Sequence, residues 1–173
     1  QNAWYHQAVD FVLKNGLMYG YSDKEFAPND TISRAQLAQI LYQNEGRPAI
    51  NTNSIFTDVP ENAWYATAVN WAASKGIVNG YGNGIFAPND TITREQFAVM
   101  LWQYAQNPDN NAKELSFHDG QQVSSYALHA IYWAVENGIL HGYEDNTLRP
   151  KGFVTRAQAA QMLKTFIDCL PPY

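Results

Sequence analysis

Cysteine is nearly absent. Cys169 is the only one, so an intrachain disulfide and a cysteine zinc cluster are both excluded. No apolar run approaches the ~18–20 residues that a membrane helix needs, and no charged-then-apolar signal segment opens the chain. Charge is scarce as well, at 16% of residues against about 25% in soluble domains. Lys and Arg number 11 against 16 Asp and Glu, giving a net charge of −5. That balance argues against a nucleic-acid binder relying on a broad basic face. No GxSxG, P-loop, Rossmann glycine fingerprint or HExxH pair is present. The four histidines, at 6, 118, 129 and 141, do not recur across the chain. Asp23, Asp145 and Asn146 lack the spacing of a calcium loop. No enzyme, cofactor or metal site is therefore expected.

Amides and aromatics stand in place of charge. There are 16 Asn and 12 Gln, and aromatics reach 14%. A polar, weakly charged, aromatic-rich surface suits contact with carbohydrate. Hydrophobic residues make up 46%, enough to bury a core.

The chain repeats itself. NAWYHQAVDFVLKNGLMYGY begins at Asn2 and NAWYATAVNWAASKGIVNGY at Asn62, an offset of 60. A third copy begins near Tyr126 at an offset of 62. Glycines keep the register at 16, 76 and 138 and again at 20, 80 and 142, as do prolines at 28, 88 and 150. The repeats are expected at 1–46 (truncated at its start), 55–106 and 116–168. Units of this size bury their apolar faces against one another, which predicts one mainly α domain over 1–173. Residues 44–55 and 106–116 read as short linkers.

Each repeat reads as helix, turn-rich loop, helix. Trp64, Ala68, Trp71 and Ala72 fall on one face of the first helix of copy two. Trp71 and Trp133 are expected in the core, and His129 half-buried. Gly16, Gly76 and Gly138 are expected as C-caps. The second helix opens each time with a capping box: Ser33 with Gln36, Thr93 with Gln96, Thr155 with Gln158. Asn29 and Asn89 stand in N-x-Thr sequons, but loop geometry accounts for them more simply. Cys169 reads as a small apolar residue.

Only five arginines are present, and Arg34, Arg94 and Arg156 share one slot, directly after the N-cap. A cation there opposes the helix macrodipole by roughly 0.3–1 kcal/mol. Helix formation alone does not ask for it. Either a nearby carboxylate pairs with it, or free N–H groups and guanidinium together form an anion-binding corner. On this reading Arg94→Ala weakens binding while costing little stability. A second repeated element, Phe-x-Asp, holds Asp58 and Asp119. Each aspartate either caps a turn, bonds a sugar hydroxyl or holds an arginine in place. Trp4 and Trp64 either pack or stack on a sugar face.

Phe56, Asp58, Val59, Trp64, Tyr65, Gly76, Gly80, Tyr81, Phe86, Pro88, Ile92, Thr93 and Arg94 carry a pattern that resembles the S-layer homology domain, in three tandem copies. The resemblance implies a pseudo-threefold helical domain with three grooves between neighbouring repeats. It implies an extracellular place at a bacterial cell wall or S-layer, within a larger surface protein. It further implies non-covalent anchoring to a secondary cell-wall polysaccharide, often pyruvylated, and no membrane span. The family's binding arginine maps onto Arg34, Arg94 and Arg156, and its aspartate onto Asp58 and Asp119. Its groove tryptophan maps onto Trp4 and Trp64, and its glycine onto Gly20, Gly80 and Gly142. In copy three the tryptophan is Tyr126, Val59 becomes Gly120, and one residue is inserted. Copy one begins inside the repeat, without its Phe-x-Asp. Chain order predicts grooves that pair Arg34 with Asp58 and Trp64, Arg94 with Asp119 and Tyr126, and Arg156 with Trp4, the first being the best. The alternative function is a structural or protein–protein scaffold, and a more distant one is a glycan-processing enzyme using Asp58 or Asp119 as acid.

Overall fold

The computed structural model describes residues 3–169 apart from 23, 52, 112 and 113. Asp23 lies outside them. The second helices are α2 (Arg34–Asn44), α4 (Arg94–Tyr104) and α6 (Arg156–Cys169). In each, the N-cap oxygen accepts from the glutamine N–H three residues on, and the glutamine Oε1 accepts from the N-cap N–H. The glutamines thus do the work of a capping-box glutamate. The first helices are α1 (His6–Lys14), α3 (Ala66–Ser74) and α5 (Leu128–Glu136). They begin on backbone turns such as His6 N to Ala3 O and Ala66 N to Ala63 O. Gly16, Gly76 and Gly138 follow them in left-handed conformation, φ between 64° and 70°, as a C-cap requires.

Three backbone hydrogen bonds close a ring at the centre. Ile32 N donates to Val154 O, Val154 N to Ile92 O, and Ile92 N to Ile32 O, at 3.0–3.1 Å. Each repeat supplies one link, so the first turns of the second helices take equivalent places about an approximate threefold axis. Among the described residues, extended structure goes no further than isolated bridges. Each second helix packs on the first helix of the next repeat, α2 on α3, α4 on α5 and α6 on α1. The last pair closes the circle. Trp71, Phe97, Phe166 and Leu101 are buried in the shared core, and Trp133 with them.

Three expectations need correction. Trp4 and Trp64 sit in the turns that precede α1 and α3, and Tyr126 in a single 3-10 turn (Ser125–Ala127) ahead of α5, so Trp64 does not share the buried face of Ala68, Trp71 and Ala72. His129 is exposed and stacks on Trp102, centroids 6.3 Å apart. Cys169 is exposed too, because α6 runs past the core.

Candidate functional site

The second helices meet their neighbours head-on. Arg34 N donates to Asp90 O, Arg94 N to Gly152 O and Arg156 N to Asp30 O, at 2.7–3.0 Å. The next N–H groups, of Ala35, Glu95 and Ala157, donate to Pro88, Pro150 and Pro28 O. The capping oxygens take the third. The helix N-termini therefore have no free donors to offer an anion, which corrects that part of the expectation. What remains is the guanidinium.

The three arginines are 4–6% exposed. No carboxylate pairs with them among the described ion pairs. Each Nε donates instead to a loop carbonyl of the next repeat: Arg34 to Phe86 O, Arg94 to Leu148 O, Arg156 to Phe26 O, at 2.8–2.9 Å. Each guanidinium lies over an aromatic ring, Tyr81 at 4.5 Å, Tyr143 at 4.9 Å and Tyr21 at 4.9 Å. Burial lowers all three pKa values, with the facing tyrosines opposing it. Arginine stays cationic nonetheless. The slot after the N-cap is explained by these contacts between repeats, which outweigh the dipole.

Three grooves open above these arginines, and each draws on all three repeats. The first joins Gly20 and Tyr21 of repeat one with Arg156 and Trp64, in about 260 Å³. The second joins Gly80 and Tyr81 with Arg34 and Tyr126, in about 370 Å³. The third joins Gly142 and Tyr143 with Arg94 and Trp4, in about 190 Å³. Glutamines of the second helices line each, Gln36, Gln96 and Gln158 among them. The floor belongs to one repeat, the arginine to the repeat before it and the aromatic to the repeat after it. The groupings expected from chain order are therefore wrong: Arg34 faces Tyr126, and Trp64 faces Arg156. Trp4 and Trp64 are 65% and 62% exposed. Each ring is held edge-on by the next tyrosine, with centroids 5.2 and 5.1 Å apart.

The groove glycines keep the loop tight. At Gly80, with φ +66°, an added Cβ would sit 2.5 Å from Ile85 O and 2.7 Å from the Phe56 ring. Gly142 meets the Phe117 ring in the same way.

Asp58 and Asp119 do not line the grooves. Asp58 accepts from Phe86 N at 2.9 Å and Ala87 N at 2.7 Å. Asp119 accepts from Leu148 N at 2.7 Å and Arg149 N at 2.8 Å. Both oxygens of each are thus spent on backbone donors. Burial disfavours the Asp119 charge, but the hydrogen bonds from Leu148 and Arg149 outweigh it, and its pKa lies below the ordinary value. A carboxylate held ionised has no proton to give as an acid catalyst. Its stabilising share is full above the unfolded-state pKa of about 3.9 and is lost as pH falls through the lower folded value. Thermal unfolding followed against pH is expected to show a smaller acid loss in Asp119→Asn than in the parent. Equal slopes would contradict this role.

One cluster was missed. Glu95 is buried, where the sister helices have Ala35 and Ala157. It accepts from Ser124 N at 3.0 Å, Ser124 Oγ at 2.9 Å and Tyr126 Oη at 3.2 Å, and pairs with Lys151 at 2.5 Å. Burial raises its pKa, while Lys151 and Ser124 lower it further, so the net direction is down. Burial and Glu95 push the Tyr126 hydroxyl up to about 12. Tyr126 is followed by Ala127, which cannot hold it edge-on as Tyr5 and Tyr65 hold the tryptophans. Glu95 holds it instead. Ser124, Tyr126 and Lys151 all depart from the repeat, and those departures are the signal that could have found the cluster. Glu95→Ala is expected to cost about 1–3 kcal/mol, and adding Lys151→Asn almost nothing more. Additive losses in a double-mutant cycle would contradict a shared network.

Curated proteins are similar to this chain in sequence. The Surface-layer 125 kDa protein of Lysinibacillus sphaericus is 30% identical over 168 residues, 94% of this chain and 14% of its own. The Cellulosome-anchoring protein of Acetivibrio thermocellus is 26% identical over 159 residues, 86% of this chain and 35% of its own. Exoglucanase XynX of Acetivibrio thermocellus is 29% identical over 172 residues, 95% of this chain and 16% of its own. The chain thus spans about a third or less of each of these proteins. The S-layer homology domain is matched three times, over residues 1–38, 55–98 and 116–160, in register with the three floor, arginine and aromatic sets. The chain belongs to the S-layer homology domain family.

Proposed function

We propose that this domain is a non-covalent cell-wall anchor that holds a secondary cell-wall polysaccharide through anionic, pyruvylated sugars in its three inter-repeat grooves. One observation carries the reading. Each groove sets a buried arginine, unpaired by any described carboxylate, beside an exposed aromatic and a row of glutamines. A pyruvate ketal presents a carboxylate to the guanidinium, its sugar ring a face to the aromatic, and its hydroxyls partners to the amides. The match to surface-layer and anchoring proteins supports the same reading. The domain would then be the wall-binding part of a larger surface protein. The test is a pull-down on purified sacculi, before and after extraction of the polysaccharide. Binding that survives extraction unchanged would refute it and favour a protein scaffold. Release of reducing sugar would refute the non-enzymatic reading.

A further inference from the structure

Asparagine stands directly before glycine at Asn15-Gly16, Asn79-Gly80, Asn83-Gly84 and Asn137-Gly138. Asparagine is thermolabile, and most so before glycine, where no side chain shields the next amide nitrogen. Two of these pairs are locked. Asn15 Nδ2 donates to Phe11 O and Asn137 Nδ2 to Trp133 O, both at 2.8 Å. Gly16 N and Gly138 N donate to Leu13 O and Val135 O, both at 3.1 Å. The helix C-cap thus ties down both the amide that would leave and the nitrogen that would attack.

Asn79-Gly80 is not held in this way. Asn79 is exposed and Gly80 partly so. Among the described residues the Asn79 side chain makes no hydrogen bond and Gly80 N meets no acceptor. The pair sits on the floor of the groove that holds Arg34, Gln96 and Tyr126. The other two grooves have Tyr19-Gly20 and His141-Gly142 at this place, with no amide to lose. There the carbonyl before the glycine accepts from the groove arginine, Tyr19 O from Arg156 Nη2 and His141 O from Arg94 Nη2, both at 2.5 Å. Asn79 O is the matching carbonyl in the groove of Arg34. Asn83-Gly84 lines none of the three grooves. Its turn is pinned by Ile85 N to Gly82 O at 2.9 Å and by Thr57 N to Gly84 O at 2.8 Å.

We propose that Asn79-Gly80 is a spontaneous deamidation site whose acidic product occupies Arg34 and closes this groove to anions. Hydroxide takes the Gly80 N–H proton, and the nitrogen attacks Asn79 Cγ. The N–Cγ bond forms, the Cγ–Nδ2 bond breaks, and Nδ2 leaves as ammonia with a proton from water. Water then opens the succinimide. Attack at Cγ leaves aspartate. Attack at the old main-chain carbonyl carbon leaves isoaspartate, whose freed α-carboxylate stands where Asn79 O stood. That is the place the arginine reaches in the two sister grooves. Either product adds one negative charge to a groove whose guanidinium is the anion's partner. The effect on binding rests on the reading of the grooves as anion sites; the reaction itself does not.

The full chain is aged in warm, mildly alkaline buffer and compared with fresh protein, beside Asn79→His, which takes the residue of repeat three. Peptide mapping by mass spectrometry reads the amide-to-acid change at each pair, and an isoaspartate-specific methyltransferase labels the rearranged product. The Arg34 Nε–H resonance, followed by NMR, reports the new carboxylate without any sugar. Calorimetry at neutral pH with a monovalent pyruvylated sugar reads binding. Conversion at Asn79 is expected at least about tenfold faster than at Asn15 and Asn137, which wait on local opening. One site of the aged protein is expected to lose at least about tenfold in affinity, while aged Asn79→His keeps its own fresh affinity. Conversion at Asn79 no faster than at the two locked pairs would overturn the site. Conversion with an unmoved Arg34 resonance, or with unchanged affinity, would overturn the closure. Fresh protein that binds no such sugar would refute the anchoring reading instead, and the mapping and the Arg34 resonance would still decide this one.

Discussion

Arg94→Ala is expected to destabilise the domain by about 2–4 kcal/mol, a fall in Tm of roughly 5–15 °C for a chain of this size. The sequence alone pointed the other way, because an arginine after the N-cap opposes the helix dipole and its removal returns about 0.3–1 kcal/mol. Geometry reverses the sign. Arg94 is buried, its Nε donates to Leu148 O at 2.8 Å, and its Nη2 donates to His141 O at 2.5 Å. Both acceptors belong to the next repeat, so the side chain is a strut between repeats. Two charge-assisted hydrogen bonds outweigh one dipole penalty. Alanine also leaves two carbonyls without a donor and removes a cation from the Tyr143 face. Scanning calorimetry decides the matter. A Tm within about 1 °C of the parent would show that the strut carries no stability.

The local features of the fold were legible because they follow from local chemistry. The capping boxes, the glycine C-caps and the buried Trp71 and Trp133 depend on residues within a helix or its cap. The repeat itself announced three equivalent units, and the slot of Arg34, Arg94 and Arg156 announced a demand that helix formation does not make. The partnerships across repeats were not legible in the same way. Sequence order links each arginine helix to the segment that follows it, and that link is real: Arg34 and Asp58 hold the same loop, through Phe86 O and Phe86 N. They hold it from different sides, however, and only the arginine reaches the groove. The aromatic comes from the far side of the ring. Closure of three units by the bonds among Ile32, Val154 and Ile92 makes repeat three a neighbour of repeat one, which linear order cannot display. The N–H groups at the helix ends looked free because a helix considered alone leaves them so. In the ring they find the Asp30, Asp90 and Gly152 carbonyls.

The groove of Arg34 is expected to bind most tightly, and Arg34→Lys to cost the strongest site about 10–100-fold in affinity for a monovalent pyruvylated sugar, the equivalent of about 1.5–3 kcal/mol. The reason differs from the one chain order offered. Arg94 and Arg156 each spend an Nη2 donor on a loop carbonyl, His141 O and Tyr19 O, at 2.5 Å. Among the described residues Arg34 makes no such bond to Asn79 O, the matching carbonyl; its side chain is hydrogen-bonded to Tyr81 instead, a side-chain partner that a ligand carboxylate can replace. Its groove also has the largest volume of the three, about 370 Å³ against 260 and 190 Å³. Lysine keeps the charge but presents its donors from a single point. It cannot hold Phe86 O and grip a carboxylate with a planar fork at once. In the other two grooves the fork is tied to a backbone carbonyl, so Arg94→Lys and Arg156→Lys are expected to lose less affinity while losing more stability. An intact polymer would hide these differences, because three linked weak sites raise avidity together. Calorimetry with the monovalent sugar, beside a thermal scan of each variant, separates them. A loss at Arg156→Lys equal to or above that at Arg34→Lys would show that groove volume and the missing carbonyl bond do not set the order of affinity.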